Sequence, residues 1–301
     1  MSNHFMFIFR LAILVLLIST CKAQPGHDKL ISGKDDNSLL WEVSGNGLAE
    51  PSYIFGSFHL LCRDDIHFSD QLLKALKYSR EVYFELDLDD PSVLVAGILL
   101  LNMKDGKKLK DLYNPAEYAK IVNFFRDSLR TSMLLFENMK PAFLESMLYP
   151  KMMPCKNISG VEEELMVVAK KEKKKIQGLE TMAFQASVFD SIPYADQAKE
   201  LLRTIDSLNS YRKYFDTMTR VYKSQQLGEI EKMFNRSEFG LEENEDLLLY
   251  NRNKNWVAQL KGIMKKQPVF VAVGAGHLVG YKGLISLLKR EGYSVRSLRN
   301  E

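Results

Sequence analysis

The sequence predicts an α/β protein whose mixed β-sheet core is built from both chain ends, with a large helical middle segment. Two observations carry this. Apolar β-type runs, Tyr53-Ile54-Phe55 and Val269-Phe270-Val271-Ala272-Val273, lie near opposite ends of the 301-residue chain, and each runs into a glycine. The stretch from Ser92 to about Lys151 is instead rich in Leu, Met and Phe at helical spacing, and helical patterns continue to about Lys232. No repeat with a period of about 20–50 residues is visible, which excludes a solenoid. The weak self-similarity lies between the two ends, as in a two-lobed or duplicated α/β domain.

Residues 1–23 read as a signal peptide: a weakly basic start precedes the apolar run Leu11–Ile18, which is too short to span a bilayer. Cleavage after Ala23 is one exit. Lipidation of Cys21 in an imperfect lipobox, Ile18-Ser19-Thr20-Cys21, is the other, and would anchor the protein to a membrane. Residues 24–37 are polar and form a linker, leaving 38–301 as the folded domain. Leu39–Val43 and Tyr53–Phe55, separated by Gly45, Gly47 and Pro51, form an opening hairpin. A helix over Ser69–Tyr78 leads to a strand over Glu81–Asp87, whose alternation puts Val82, Phe84 and Leu86 on one face and Tyr83, Glu85 and Asp87 on the other. Lys175–Glu180 is a short strand ending in a carboxylate. A helix over Leu247–Lys265, the run Val269–Val273, a helix over Lys282–Glu291 and a strand over Tyr293–Leu298 close the chain.

A formal charge of +3, with 26% charged residues, gives no strong field for nucleic acid or an anionic membrane. Export places Cys62 and Cys155 in an oxidising compartment. Their even count once Cys21 is removed predicts a disulfide between them, against a reading as two buried thiols.

Both apolar runs end in the same pattern, Gly56-Ser57-Phe58-His59 and Gly274-Ala275-Gly276-His277. A strand, a glycine and a histidine three residues on place an imidazole at the strand's carboxyl end, where α/β sheets form ligand sites. Only five histidines are present, and two of them hold these matching positions. Glu85 ends an apolar strand, where a charge is costly unless it is paired or ligated. With His59 and His277 it makes a His-His-carboxylate metal set, or it is the base that activates a metal-bound water. Asp87 continues that face. Arg252 is a candidate clamp for an oxyanion or carboxylate. No His-Glu-x-x-His helix, nucleophile elbow, P-loop or dinucleotide fingerprint is present.

The chain resembles the TraB/GumN family, which includes the Tiki-type metalloproteases. The resemblance rests on Gly56–His59, Phe84–Asp87, Gly178-Leu179-Glu180-Thr181 with Gln185 and Phe189–Pro193, Asn251–Trp256, and Val271–Gly280. Ser57 and Phe58 stand where Thr and Ile are more usual, and Phe184 where an acid is common. The resemblance implies an α/β fold with mixed sheets, shared with erythromycin esterases and ChaN-like haem-binding proteins. It also implies a hydrolase dependent on Mn²⁺ or Co²⁺, with Zn²⁺ as a third candidate, that uses His59, His277 and Glu85 on a peptide or protein substrate. It strengthens Arg252, and leaves Glu180 as either an orienting residue behind the site or a fold-specific hydrogen bond. The alternative is a non-catalytic protein of the same fold that binds a peptide or haem-like ligand.

Overall fold

The computed structural model describes residues 37–87, 89, 97, 100–235 and 246–300. The expected signal segment with Cys21, nearly all of the linker, and the start of the helical segment at Ser92 lie outside the described residues.

In chain order the elements are β1 (Leu40–Ser44), β2 (Ser52–Ser57), β3 (Leu61–Cys62), α1 (Asp70–Tyr78), β4 (Glu81–Leu86), α2 (Pro115–Ser128), α3 (Pro141–Ser146), β5 (Ile158–Ser159), α4 (Val161–Lys171) and β6 (Lys175–Glu180). They continue with α5 (Met182–Asp190), α6 (Tyr194–Asp206), α7 (Leu208–Lys223), α8 (Leu227–Asn235), α9 (Asn251–Lys266), β7 (Val269–Gly274), α10 (Leu284–Arg290) and β8 (Ser294–Leu298). Six strands form one sheet in the order β6-β4-β7-β2-β1-β8, and β3 pairs with β5 in a small ribbon. The mixed α/β fold is the one expected. The opening hairpin β1–β2 is antiparallel, β8 closes antiparallel on β1, and β2 lies parallel to β7. The two chain ends therefore supply adjacent strands.

The chain divides into two compact units. Of the described residues, one takes those up to Asp89, Asn157–Glu180 and those from Thr217; the other takes those between Asp90 and Lys156 and Thr181–Asp216. In the first, β7 is the central parallel strand. Val269 to Val273 are all buried, the unbroken apolar run of a strand covered on both faces. Edge strand β8 instead mixes buried Val295 and Leu298 with exposed Ser294 and Arg296. Ser69 caps α1 by accepting the Leu72 N–H at 3.1 Å.

The second unit is helical, but its first stretch is not continuous helix. Pro115 and Pro141 each open a helix at its first turn, where the missing N–H costs nothing. Between them Arg130 takes φ 55°, so α2 ends and a short 3₁₀ turn, Met133–Leu135, intervenes. Packing of Phe143 on Phe189 and Tyr149 on Phe215, with ring centroids 4.9 and 5.2 Å apart, fills this unit's core. Cys62 and Cys155 are disulfide-bonded, as their even count predicts. Among the described residues no helix is long and apolar enough to cross a membrane.

Candidate active site

Strands β6, β4, β7 and β2 run parallel, so their carboxyl ends share one edge of the sheet. Glu180 is the last residue of β6, Glu85 the last but one of β4, Gly274 the last of β7 and Ser57 the last of β2. Ser57 pairs with Gly274 in register, so the two Gly-x-x-His segments leave the sheet side by side. The expectation that both imidazoles reach one edge holds.

Gly274 is the centre of the convergence. A Cβ placed there would lie 3.4 Å from His59 Nε2, 3.4 Å from Glu85 Oε1 and 3.7 Å from His277 Cδ2. Its N–H donates to Glu85 Oε1 at 2.9 Å. The bare Cα leaves a cradle between the three side chains that any larger residue would begin to fill.

Arg252, on the first turn of α9, ties the carboxylates together. Its Nη2 donates to Glu85 Oε2 at 2.6 Å and to Glu180 Oε2 at 2.8 Å, and its Nε reaches both Glu180 oxygens. Its Nη1 donates to the Leu248 carbonyl at 2.9 Å and faces His277 Nε2 at 3.3 Å. The five N–H groups of the guanidinium are thus engaged. Leu248 belongs to the π-helical turn Asp246–Tyr250 that precedes α9. Trp256, one turn along α9, donates to Glu180 Oε1 at 2.8 Å, and its ring packs on His277 with centroids 4.4 Å apart.

Each histidine is oriented through Nδ1. At His277, Nδ1 stands 2.6 Å from Asn253 Oδ1. The Asn253 amide nitrogen donates to the carbonyls of His277 and Lys282, which fixes the amide so that its oxygen accepts. His277 therefore carries its proton on Nδ1 and presents a lone pair at Nε2. At His59, Nδ1 stands 2.5 Å from Glu162 Oε1, and Ser57 Oγ donates to the same oxygen at 2.5 Å.

The charges follow from these partners. Burial works against ionising Glu85, yet Arg252 foremost, with the two histidines and the Gly274 N–H, holds its carboxyl down to about 2. Burial takes His277 down to about 3, with Arg252 adding to the effect and Glu85 opposing it. The 3.7 Å contact between His277 Nε2 and Glu85 is therefore between a neutral ring and a carboxylate. Burial also opposes a charge on His59, but the Glu162 carboxylate outweighs it and raises the pKa above the ordinary value. His59 and Glu162 keep 7% and 12% side-chain exposure, against 1–4% for Arg252, His277, Glu85 and Glu180. His59 and Glu162 are thus the least buried of these side chains.

Of the residues expected at the site, His59, Glu85, Glu180, Arg252 and His277 meet in one cluster. Asp87 instead accepts the Asp89 N–H at 3.2 Å in a local turn. Sequence reasoning missed Ser57, Glu162, Asn253 and Trp256 as contributors. Ser57, Asn253 and Trp256 lay inside motifs already singled out. Glu162 is one of three consecutive glutamates opening α4, a pattern that reads as a complement to the helix dipole.

Donor types that divalent metals accept are present: an Nε2 lone pair on His277, the other imidazole oriented by a carboxylate, and an ionised Glu85 beside them. The arrangement is less closed than the donor types. Among the described residues no group of three His, Cys, Asp or Glu is gathered as a ligand set. Arg252 Nη1 faces the His277 lone pair, and both Glu85 oxygens already accept hydrogen bonds.

No solved structure matches the chain. Among curated proteins it is similar to "Metalloprotease TIKI1" of Danio rerio, with 24% identity over 87% of this chain and 63% of the relative. It is also similar to "Metalloprotease TIKI2" of Danio rerio, with 24% identity over 89% of this chain and 62% of the relative. "Metalloprotease TIKI1" of Homo sapiens is 22% identical over 92% of this chain and 64% of its own length. The chain thus spans less than two thirds of the length of these relatives. The model of the TraB/PrgY/gumN family matches residues 39–297, which include every residue of the cluster, and the chain belongs to that family.

Proposed function

We propose that the protein is a metal-dependent peptidase acting outside the cytoplasm. The observation that supports it most is the convergence of His59 Nε2, Glu85 Oε1 and the His277 ring on the bare Cα of Gly274. The naming of its relatives as metalloproteases points the same way. His59, His277 and Glu85 would hold the ion, with Mn²⁺ or Co²⁺ favoured by the family resemblance and Zn²⁺ as the third candidate. When bound, such an ion supplies Lewis-acid polarisation of a peptide carbonyl and a water acidic enough to attack near neutral pH.

The protein's own groups have separate tasks. Glu85, held ionised by Arg252, is better suited to charge stabilisation than to carrying a proton at neutral pH. Arg252 fixes Glu85 and Glu180 and brings one N–H to His277 Nε2, from where its charge would add to the stabilisation of an oxygen gaining negative charge. Asn253 and Trp256 hold the His277 ring in place. Export rests on the apolar run Leu11–Ile18, and a lipidated Cys21 is the alternative route. Nucleic acid is not among the proposed partners.

The test is metal analysis of the purified protein, then peptide-library cleavage with chelation and Mn²⁺, Co²⁺ or Zn²⁺ add-back. Hydrolysis abolished by chelator and restored by one ion supports the reading; wild-type rates in His59→Ala or His277→Ala overturn it. A second reading, a binding protein without turnover, is favoured by the saturated Arg252–Glu85 pair. Peptide or haem retention that chelation leaves unchanged, with no cleavage, selects it.

A further inference from the structure

We propose that Glu162 is a positioning residue for His59, fixing the imidazole so that Nε2 bears the lone pair facing the Gly274 cradle. The functional weight of this rests on the metallopeptidase reading above; the geometry does not.

Three adjacent glutamates open α4, and a dipole complement accounts for any of them. Their contacts separate them. Glu164 accepts from Ser159 Oγ at 2.7 Å and pairs with Arg63 at 3.0 Å, and Glu163 lies 3.4 Å from the same Ser159 hydroxyl. Glu162 reaches the sheet edge, with one oxygen 2.5 Å from both Ser57 Oγ and His59 Nδ1.

The start of α4 is locked to the His59 segment independently of that side chain. Val161 N–H donates to the Phe58 carbonyl at 3.0 Å. A Cβ at Gly160 would lie 2.9 Å from the His59 carbonyl oxygen, so only glycine lets the two backbones approach this closely. Glu162 is therefore delivered to His59 by backbone placement, as expected of an orienting partner.

Glu162 Oε1 is an acceptor, taking the Ser57 Oγ proton, so the proton shared with the facing imidazole nitrogen sits on His59 Nδ1. The Ser57 hydroxyl occupies the same oxygen and limits where the carboxylate can swing. Nε2 is left as the acceptor or ligand atom, 3.4 Å from the point where a Gly274 Cβ would stand. Carboxylate–imidazole pairs of this kind raise ligand basicity, and losing one typically costs about 10–100-fold in metal affinity.

The experiment records ¹⁵N NMR of the histidine imidazoles and calorimetric Mn²⁺ binding in the purified protein and its variants. Recorded at alkaline pH, where the ring is neutral, wild type should show His59 protonated at Nδ1 and not at Nε2. Glu162→Ala should shift His59 towards the Nε2–H tautomer and weaken Mn²⁺ binding by about 10–100-fold. Glu162→Gln, which keeps an accepting oxygen, should restore the tautomer and most of the affinity. Glu163→Ala removes an equal dipole complement and should change neither quantity. If Glu162→Ala does not fold, Glu162→Asp withdraws the carboxylate by one methylene while keeping its charge, and reads the same two quantities. An unchanged tautomer and affinity in the folded variant overturn the inference. Unaltered Mn²⁺ binding in His59→Ala would instead overturn the metal reading, and the tautomer measurement would still decide the role of Glu162.

Discussion

Two buried carboxylates, one in each unit, meet opposite fates. Glu85 at the sheet edge is held down to about 2, whereas Glu145 in α3 is pushed up to about 8. Both side chains are nearly inaccessible, so burial alone does not separate them. Glu85 has a guanidinium at 2.6 Å and a backbone N–H at 2.9 Å. Glu145 has the neutral Thr204 hydroxyl at 2.8 Å, with the Glu200 charge opposing its ionisation and Arg203 only partly offsetting it. Burial penalises the ion in both places, and the partner decides whether the penalty is met. The helical unit spends its buried cation elsewhere: Lys140 donates to the Leu100 and Ala186 carbonyls and to Asp190.

The contrast breaks most severely at Arg252. Arg252→Ala should destabilise the protein by about 3–5 kcal/mol in chemical denaturation, because Glu85 and Glu180 lose their shared cation in a dry setting. A loss below about 1 kcal/mol would mean that the carboxylates find other compensation. His59→Ala and His277→Ala should lower peptide hydrolysis by at least about 10²-fold, with circular dichroism unchanged.

Glu145 sharpens the comparison through pH. Its folded pKa is raised, so between about 4.5 and 8 the native state holds a proton that the unfolded chain has released. Stability should therefore fall as pH rises through that window, by up to about 1.4 kcal/mol per unit. Denaturation across pH should show this slope in wild type and a flatter one in Glu145→Gln; equal slopes would refute the assignment. The smallest structural effect is expected at Gly274→Ala. Its Cβ would meet only ordinary contacts of 3.4–3.7 Å, so thermal unfolding should shift by less than about 1 kcal/mol. Activity should nonetheless drop by about tenfold as the cradle fills, and an unchanged rate would remove Gly274 from the site.

Much of this was legible in sequence because it is local. Strand periods, terminating glycines and proline-opened helices are written within a few residues, which is why β2, β4, β6 and β7 were each expected near their observed positions. The shared glycine-to-histidine spacing pointed to a common sheet edge without coordinates. Glu162 was hidden because its alternative explanation, the helix dipole, is also local and equally good. The break in the helical segment near Arg130 was likewise overridden by the apolar pattern around it.

By itself the sequence determined which residue types stand at the strand ends, since alternation and glycine placement depend only on chain neighbours. Tertiary structure alone decided how they are coupled. It set β7 between β4 and β2, brought Arg252 across from α9 onto both Glu85 and Glu180, and turned one of three adjacent glutamates towards His59. Those pairings join residues about a hundred or more positions apart in several cases, and their energies depend on distance and exclusion of water, which only packing sets.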